Sequence, residues 1–369
     1  MFFLRALPRP GCPWFVFALA LASIAGPLPE SHGAETKLRA LDGAAGDNFG
    51  YSVSLSGDRI AVGSPWDDDQ GPLSGAVYVF RLTAGVWTQE QKIVPSDGAF
   101  DDNFGSTVSL DGDVLVAGSP QANIEIEDEG AAYVFRRNGT TWTEEQKLTA
   151  ADGGEQQYFG RSVSVDAGRI LVGSDQDDDL GVFSGSAYVF RFNGSSWVQE
   201  QKLTANDGTA NDFFGATVCI QGERAIIGSI YDDVPFLNSG SAYVFRRVGT
   251  VWTQEGKLTA GADSGAEDFF GGSVAISGVR AVVGARLEDQ SGLNAGAAYV
   301  FAFNGASWRP ERKLLAADGT LRDQFGTSVS IDGDVIAVGP GWTTATKTKM
   351  WAARTSFSAR GPDGSRRGA

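Results

Sequence analysis

Carboxylates are the residues of this 369-residue chain whose type and spacing could support chemistry. Several aspartates stand side by side in polar stretches that separate runs of β-branched and aromatic residues. Such clusters on a loop suit a hard cation, because Ca²⁺ takes several oxygen ligands and tolerates irregular geometry. The candidate metal ligands are Asp67, Asp68, Asp69, Asp177, Asp178, Asp179, Asp232 and Asp233. The alternative interpretation is that they are solvated loop tips, which keep the surface soluble and discourage pairing of strand edges.

Catalysis finds little support in the residue types. The chain has one histidine, His32, so the remainder offers no imidazole base, no Ser-His pair and no histidine-ligated zinc. Paired carboxylates could hydrolyse a glycoside, but the acidic runs recur along the chain, whereas an active site is singular. We therefore predict no enzymatic activity, no catalytic residues and no cofactor besides calcium. A carboxylate-based glycan hydrolase is the least favoured alternative.

The acidic runs belong to a repeat of about 55 residues. A Phe-Gly pair recurs at Phe49, Phe104, Phe159, Phe214, Phe270 and Phe325. A Tyr-Val-Phe triplet follows at Tyr78, Tyr133, Tyr188, Tyr243 and Tyr299, and a tryptophan at Trp87, Trp142, Trp197, Trp252 and Trp308. A repeat of this length indicates a supersecondary unit that buries its apolar face only by stacking on its neighbours.

Each unit contains four short runs of strand-forming residues separated by turn residues. In the first unit, Ser56-Gly57-Asp58-Arg59 predicts a tight hairpin, and the acidic loop leads into the Tyr-Val-Phe strand. The expected fold is therefore all-β: a β-propeller of four-stranded antiparallel blades, with five full blades and a partial sixth. A β-solenoid is the alternative, although its rungs would be shorter. We expect the repeated aromatic residues and Cys219 to be core.

These motifs resemble the FG-GAP repeat, which is related to the propeller of integrin alpha subunits. In the first unit the resemblance rests on Phe49-Gly50, on Val62-Gly63-Ser64-Pro65 and on the segment from Ser74 to Phe80. It implies a seven-bladed extracellular propeller that binds through loops on one face, often with calcium in some blades. The family's calcium loop, however, lies between the first and second strands, where this chain has only short turns such as Gly57-Asp58. The resemblance therefore does not imply calcium binding at those turns.

The expected organisation is a signal peptide at 1–33, the propeller at 34–340 and a basic non-repeat tail at 341–369. The leader interpretation rests on Arg5 and Arg9 before an apolar run that is short for a bilayer span, with an uncleaved anchor as the alternative. It predicts a secreted, periplasmic or cell-surface protein with no membrane insertion after cleavage. The net charge of −15 argues against nucleic acid and anionic membranes as partners.

The favoured function is a secreted or cell-surface binding or adhesion module with a protein or glycan ligand, and a purely structural repeat array is the alternative. A binding site should show unusual exposed aromatic residues or arginine in the loops of a few neighbouring blades. Trp66, Tyr231 and Phe236 are the candidates that the sequence offers.

Both ends of the repeat carry an expectation. Lys37-Leu38 matches the end of a fourth strand whose own blade is missing, so we expect it to dock on the last blade and close the ring. After Pro340 every repeat landmark stops, which leaves five blades and an inner hairpin. The codons of the tail are nevertheless compatible with an acidic loop followed by Val-Gly-Ser-Ala-Tyr-Val-Phe in another reading frame. A frameshift inside the sixth blade is our hypothesis for this tail.

Overall fold

The computed structural model describes residues 36–124, 127–341 and 351–354. The predicted signal peptide and tail residues 342–350 and 355–369 lie outside them. The described residues form strands joined by turns, with one 3-10 turn at Gly261–Asp263. No described helix is long and apolar enough to cross a bilayer.

Five four-stranded antiparallel sheets follow one another along the chain, each in the simple order of its strands, and a three-stranded sheet comes last. Blade 1 contains β1 (Ser52–Ser56), β2 (Arg59–Ser64), β3 (Ala76–Thr83) and β4 (Val86–Ile93). Blade 2 contains β5 (Thr107–Asp111), β6 (Val114–Ser119), β7 (Ala131–Asn138) and β8 (Thr141–Leu148). Blade 3 contains β9 (Ser162–Asp166), β10 (Arg169–Ser174), β11 (Ser186–Phe192) and β12 (Trp197–Leu203).

Blade 4 contains β13 (Phe214–Gln221), β14 (Arg224–Ser229), β15 (Ser241–Val248) and β16 (Val251–Leu258). Blade 5 contains β17 (Phe270–Ser277), β18 (Arg280–Ala285), β19 (Ala297–Phe303) and β20 (Trp308–Leu314). The sixth sheet contains β21 (Ser328–Asp332), β22 (Val335–Gly339) and β23 (Trp351–Arg354). This arrangement confirms the all-β propeller of repeated four-stranded blades.

Consecutive blades are joined through their first strands by hydrogen bonds that repeat with the sequence. Ser54 Oγ accepts the backbone N–H of Leu110 at 3.0 Å, and Ser109 Oγ accepts that of Val165 at 2.9 Å. The next pair, Ser164 and Ile220, does the same at 3.0 Å. A small hydroxyl on the first strand of blades 1, 2 and 3 therefore satisfies the backbone of the next blade, which keeps these inner strands in register. Blades 4 and 5 have Cys219 and Ala275 at this position.

The Phe-Gly pair holds each blade against the preceding one. Phe159 is fully buried and meets Tyr188 edge-to-face, with ring centroids 5.4 Å apart. Its backbone forms a parallel bridge with Gly130 of blade 2. A Cβ atom on Gly173 would collide with the carbonyl oxygen of Gly215 in the next blade, so this strand position requires glycine. The repeated aromatic residues are core, as predicted, although Phe49 and Trp87 of blade 1 are only partly buried.

The two ends of the propeller differ from the sequence-based expectation. Residues 36–40 form no strand, and Leu38 packs against the core of blade 1, so the described residues do not show the expected docking on the last blade. The last sheet is more than the expected inner hairpin, because β23 pairs antiparallel with β22. Cys219 is fully buried, as expected.

Candidate functional site

The connections between second and third strands lie on the same face of the propeller as the segments that lead into each Phe-Gly pair. Backbone hydrogen bonds join the two sets: Asn103 N–H donates to Leu73 O, and Phe213 N–H donates to Phe183 O, each at 3.0 Å. We call this surface the loop face. Its loops are tied to the neighbouring blade and are therefore preorganised for contact with a partner.

The acidic runs lie on the loop face, but their first carboxylate points inward. In blade 3, Asp177 is 1% exposed and accepts hydrogen bonds from Tyr188 Oη and Lys202 Nζ, both at 2.9 Å. The same ammonium contacts Asp179 at 2.6 Å and Asp152 at 2.8 Å. Three carboxylates and one tyrosine hydroxyl thus gather around a single lysine. We call each such group a lysine cluster.

Lysine clusters recur in the other blades with small changes of composition. Blade 1 uses Lys92 with Asp42, Asp67, Asp69 and Tyr78; blade 4 uses Lys257 with Asp207, Asp232 and Tyr243; blade 5 uses Lys313 with Asp263, Glu288 and Gln290. Blade 2 has Ala122 at the position of the inward aspartate, and Lys147 there pairs with the half-exposed Asp97. The lysine and its loop acid are 25 residues apart in all four acidic blades.

The second aspartate of each run closes its own loop. Asp68 accepts the backbone N–H of Leu73 at 2.8 Å, and Asp178 accepts that of Phe183 at 2.7 Å. Asp233 accepts that of Asn238 at 2.9 Å. In this bond a side-chain oxygen accepts the N–H that a backbone carbonyl would accept in an ordinary turn, an arrangement that is common for aspartate in loops.

Pairing controls the charge state of these buried groups. Burial alone would raise the pKa of Asp232, but hydrogen bonds from Lys257, Ser241 and Tyr243 hold it below its ordinary value. Burial alone would lower the pKa of Lys92, but its contacts with Asp67 and Asp69 raise it. Asp232 and Lys92 therefore stay charged at neutral pH, as expected of groups in buried ion pairs. The blade 5 cluster is less complete, because Glu288 Oε2 and Tyr299 Oη are buried there without a hydrogen-bond partner.

These contacts bear on the predicted calcium site. The structure brings Asp67 and Asp69 together in one cluster and Asp177 and Asp179 in another. In each cluster the lysine ammonium occupies the space between the carboxylates that a metal ion would need. Asp68, Asp178 and Asp233 are turned toward backbone N–H groups instead. Among the described residues, no group of three or more His, Cys, Asp or Glu side chains is arranged to hold a metal ion. The eight aspartates do not fit a Ca²⁺ ion while the lysines stay in place.

The aromatic candidates show a second feature of the loop face. Trp66 and Phe236 are half exposed, whereas Tyr231 belongs to a row of rings. Its neighbours are Phe213, with ring centroids 4.9 Å apart, and Phe269, at 5.3 Å. Phe183 lies 5.7 Å beyond Phe213.

We call these four rings, Phe183, Phe213, Tyr231 and Phe269, the aromatic ladder. It crosses from blade 3 to blade 5, and each ring is partly exposed. Sequence reasoning missed three of its members. Aromatic residues directly before Phe-Gly, where other repeats have asparagine or glutamine, are the signal that could have found Phe213 and Phe269.

Comparisons with known proteins agree with the repeat pattern. A family model described as FG-GAP repeat matches residues 33–80, 87–135, 142–190, 197–245, 252–301 and 308–349. Integrin alpha-2 of Mus musculus is 31% identical over 29% of this chain and 10% of its own length. Integrin alpha-6 of Homo sapiens is 27% identical over 47% of the chain and 16% of its own length. Integrin alpha-11 of Homo sapiens is 28% identical over 36% of the chain and 12% of its own length. The chain thus corresponds to a small part of each of these relatives.

Proposed function

Because the chain belongs to the FG-GAP repeat family, we propose that its propeller is an adhesion-type binding module that takes a macromolecular ligand on the loop face. The integrin alpha chains among its relatives support a binding role, and the predicted leader supports display outside the cytoplasm. Catalysis is not part of the proposal, since the sequence has a single histidine and the recurring acids are paired with lysines or turned toward backbone N–H groups.

The observation that carries the proposal is the uneven distribution of exposed apolar side chains. The large apolar side chains that are exposed on the loop face are Leu41, Trp66, Phe100, Leu180, Val182, Val234, Phe236, Leu237, Leu293, Leu315 and Leu321. The turns of the opposite face carry only Val86, Val248, Val251 and Val279 among the described residues. Exposed apolar groups collected on one face are typical of an interaction surface. A purely structural array would need no such difference between its faces.

Calcium is not required by this proposal. Its candidate ligands already hold ammonium groups or backbone N–H groups, which order the loops without a metal. The loop face is therefore expected to bind its ligand equally well in the presence of a chelator.

Protein and glycan arrays probed with the full chain test the proposed function. We expect specific ligands whose binding falls at least about tenfold when Phe236 is changed to serine, since losing a buried aromatic contact costs more than 1.4 kcal/mol. Val279→Ser is the matched control, because Val279 is 50% exposed on the opposite face and Phe236 is 51% exposed. Equal losses in both variants, or no specific ligand on either array, would contradict a binding role for this face.

A further inference from the structure

The residue before each Phe-Gly pair has a left-handed backbone in all six repeats, with φ between 52° and 57°. Blades 1 and 2 place Asn48 and Asn103 there, and asparagine tolerates this conformation. Blades 3, 4 and 5 place Tyr158, Phe213 and Phe269 there. A positive φ costs a bulky residue on the order of 1 kcal/mol or more. The backbone thus gives no reason for these rings, which indicates that the surface they form is what matters.

Phe213 and Phe269 are the two of these residues that join the aromatic ladder. Phe213 and Tyr231 meet at 65°, and Tyr231 and Phe269 at 76°. Rings in this edge-to-face arrangement form an uneven surface and not one flat platform. Such a surface suits apolar side chains better than the broad face of a sugar ring.

Arg286 lies at the blade 5 end of the ladder. Its guanidinium carbon is 4.9 Å from the centroid of Phe269, within the range of a cation–π contact. No ion pair or hydrogen bond with a described carboxylate holds it, although the chain carries a net charge of −15. Burial lowers the pKa of Arg286, and Tyr231 offsets this only in part. A partly desolvated guanidinium without a carboxylate is costly and would gain from an incoming anion.

A second arginine of the loop face shows the paired alternative. Arg161 Nε lies 3.3 Å from Asp175 Oδ2, and Asp175 is buried. Asp175 follows Gly173-Ser174 in blade 3 just as Arg286 follows Gly284-Ala285 in blade 5. Blade 3 therefore has an acid at this position, paired with Arg161, whereas blade 5 has Arg286, which is paired with no described carboxylate. This contrast makes Arg286 the anion-binding group of the surface.

We propose that Arg286 and the aromatic ladder bind an acidic, apolar peptide segment of a partner protein. The guanidinium takes the carboxylate of an aspartate or glutamate in two parallel hydrogen bonds, and the partly exposed rings of the ladder contact the flanking apolar side chains. The loop between β14 and β15 adds the exposed Val234, Phe236 and Leu237 beside Tyr231, which suits a protein partner. Aromatic residues and arginine are the usual centre of such interfaces. This inference rests on the proposed function and names its ligand class.

An array of acetylated and amidated dodecapeptides tests the inference. A central Glu, Gln or Lys is flanked by leucine and phenylalanine in varied order, and the probe is the tagged full chain. We expect the glutamate series to bind about tenfold more tightly than the other two, because a charge-assisted pair with two hydrogen bonds is roughly twice as strong as a neutral one, and tenfold corresponds to about 1.4 kcal/mol. Arg286→Gln should abolish this preference, and Arg286→Lys should retain part of it.

Arg312→Gln is the matched control, since Arg312 is exposed on the outer strand of blade 5 and the substitution removes the same charge. It should leave the preference for glutamate unchanged. Melting curves of the three variants show whether each remains folded. Equal binding of the three peptide series, preference for lysine, equal effects of Arg286→Gln and Arg312→Gln, or no peptide binding would each overturn the inference. If the chain captures acidic glycans or other ligands while the glutamate series stays unbound, the binding function stands and the peptide assignment fails.

Discussion

Replacing Lys202 with methionine is expected to lower the free energy of unfolding by about 3–5 kcal/mol. The substitution preserves the length of the side chain but removes the ammonium from Asp152, Asp177 and Asp179. Asp177 is 1% exposed, so its charge would be left buried without a counter-ion. The shift of the unfolding midpoint in urea measures the loss.

Blade 2 supplies the control for this substitution. Lys147→Met removes the same group, but its partner Asp97 is half exposed, and Ala122 stands at the position of the inward aspartate. Its cost should be no more than about 1 kcal/mol. Adding Asp177→Asn to Lys202→Met should recover much of the loss, because the uncompensated charge disappears. Equal costs for the two lysines, or no recovery in the double variant, would show that the clusters do not act as buried ion pairs.

The second large effect is expected from Phe159→Ala. Phe159 is fully buried against Tyr188 and Phe190, with ring centroids 5.4 and 5.9 Å away. Removing the ring leaves a cavity between blades 2 and 3 and should cost about 3–5 kcal/mol. Urea unfolding followed by tryptophan fluorescence measures it.

Phe49→Ala is the matched control, because Phe49 makes the same ring contacts in blade 1 but is only partly buried. Its cost should be clearly smaller, since less apolar area is returned to water. Similar losses at both positions would mean that something covers the outer face of blade 1 in solution.

The period of the Phe-Gly, Tyr-Val-Phe and Trp motifs was sufficient to predict the blades. Each motif lies at a fixed place in a strand or turn, so the local sequence patterns and the 55-residue repeat predict the same four-stranded unit. The strand Trp351–Arg354 was missed because it carries none of these motifs. It pairs with the open edge that β22 offers, which the sequence of the segment does not reveal.

The acidic loops were harder to interpret from sequence. A run such as Asp67-Asp68-Asp69 looks alike whether it holds Ca²⁺ or an ammonium, because the decisive partner, Lys92, comes from a strand 25 residues later. Two signals could have revealed this pairing. One is the constant spacing of acid and lysine, and the other is blade 2, where Ala122 replaces the acid and Lys147 is retained 25 residues later. The ladder was missed because its rings come from three different blades, which only the folded propeller brings together.

Melting the full chain in millimolar Ca²⁺ and in EDTA is the most direct test of the claim that lysines, and not metal ions, order the loop face. A bound cation would raise the melting temperature through its preference for the folded state. The lysines already pair with the buried carboxylates of Asp67, Asp177 and Asp232, so the melting temperatures in Ca²⁺ and in EDTA should agree within about 1 °C, less than the shift that 1 kcal/mol would produce. A clear rise in Ca²⁺ that disappears when Asp67, Asp69, Asp177 and Asp179 are changed to asparagine would contradict the claim and place calcium at these loops.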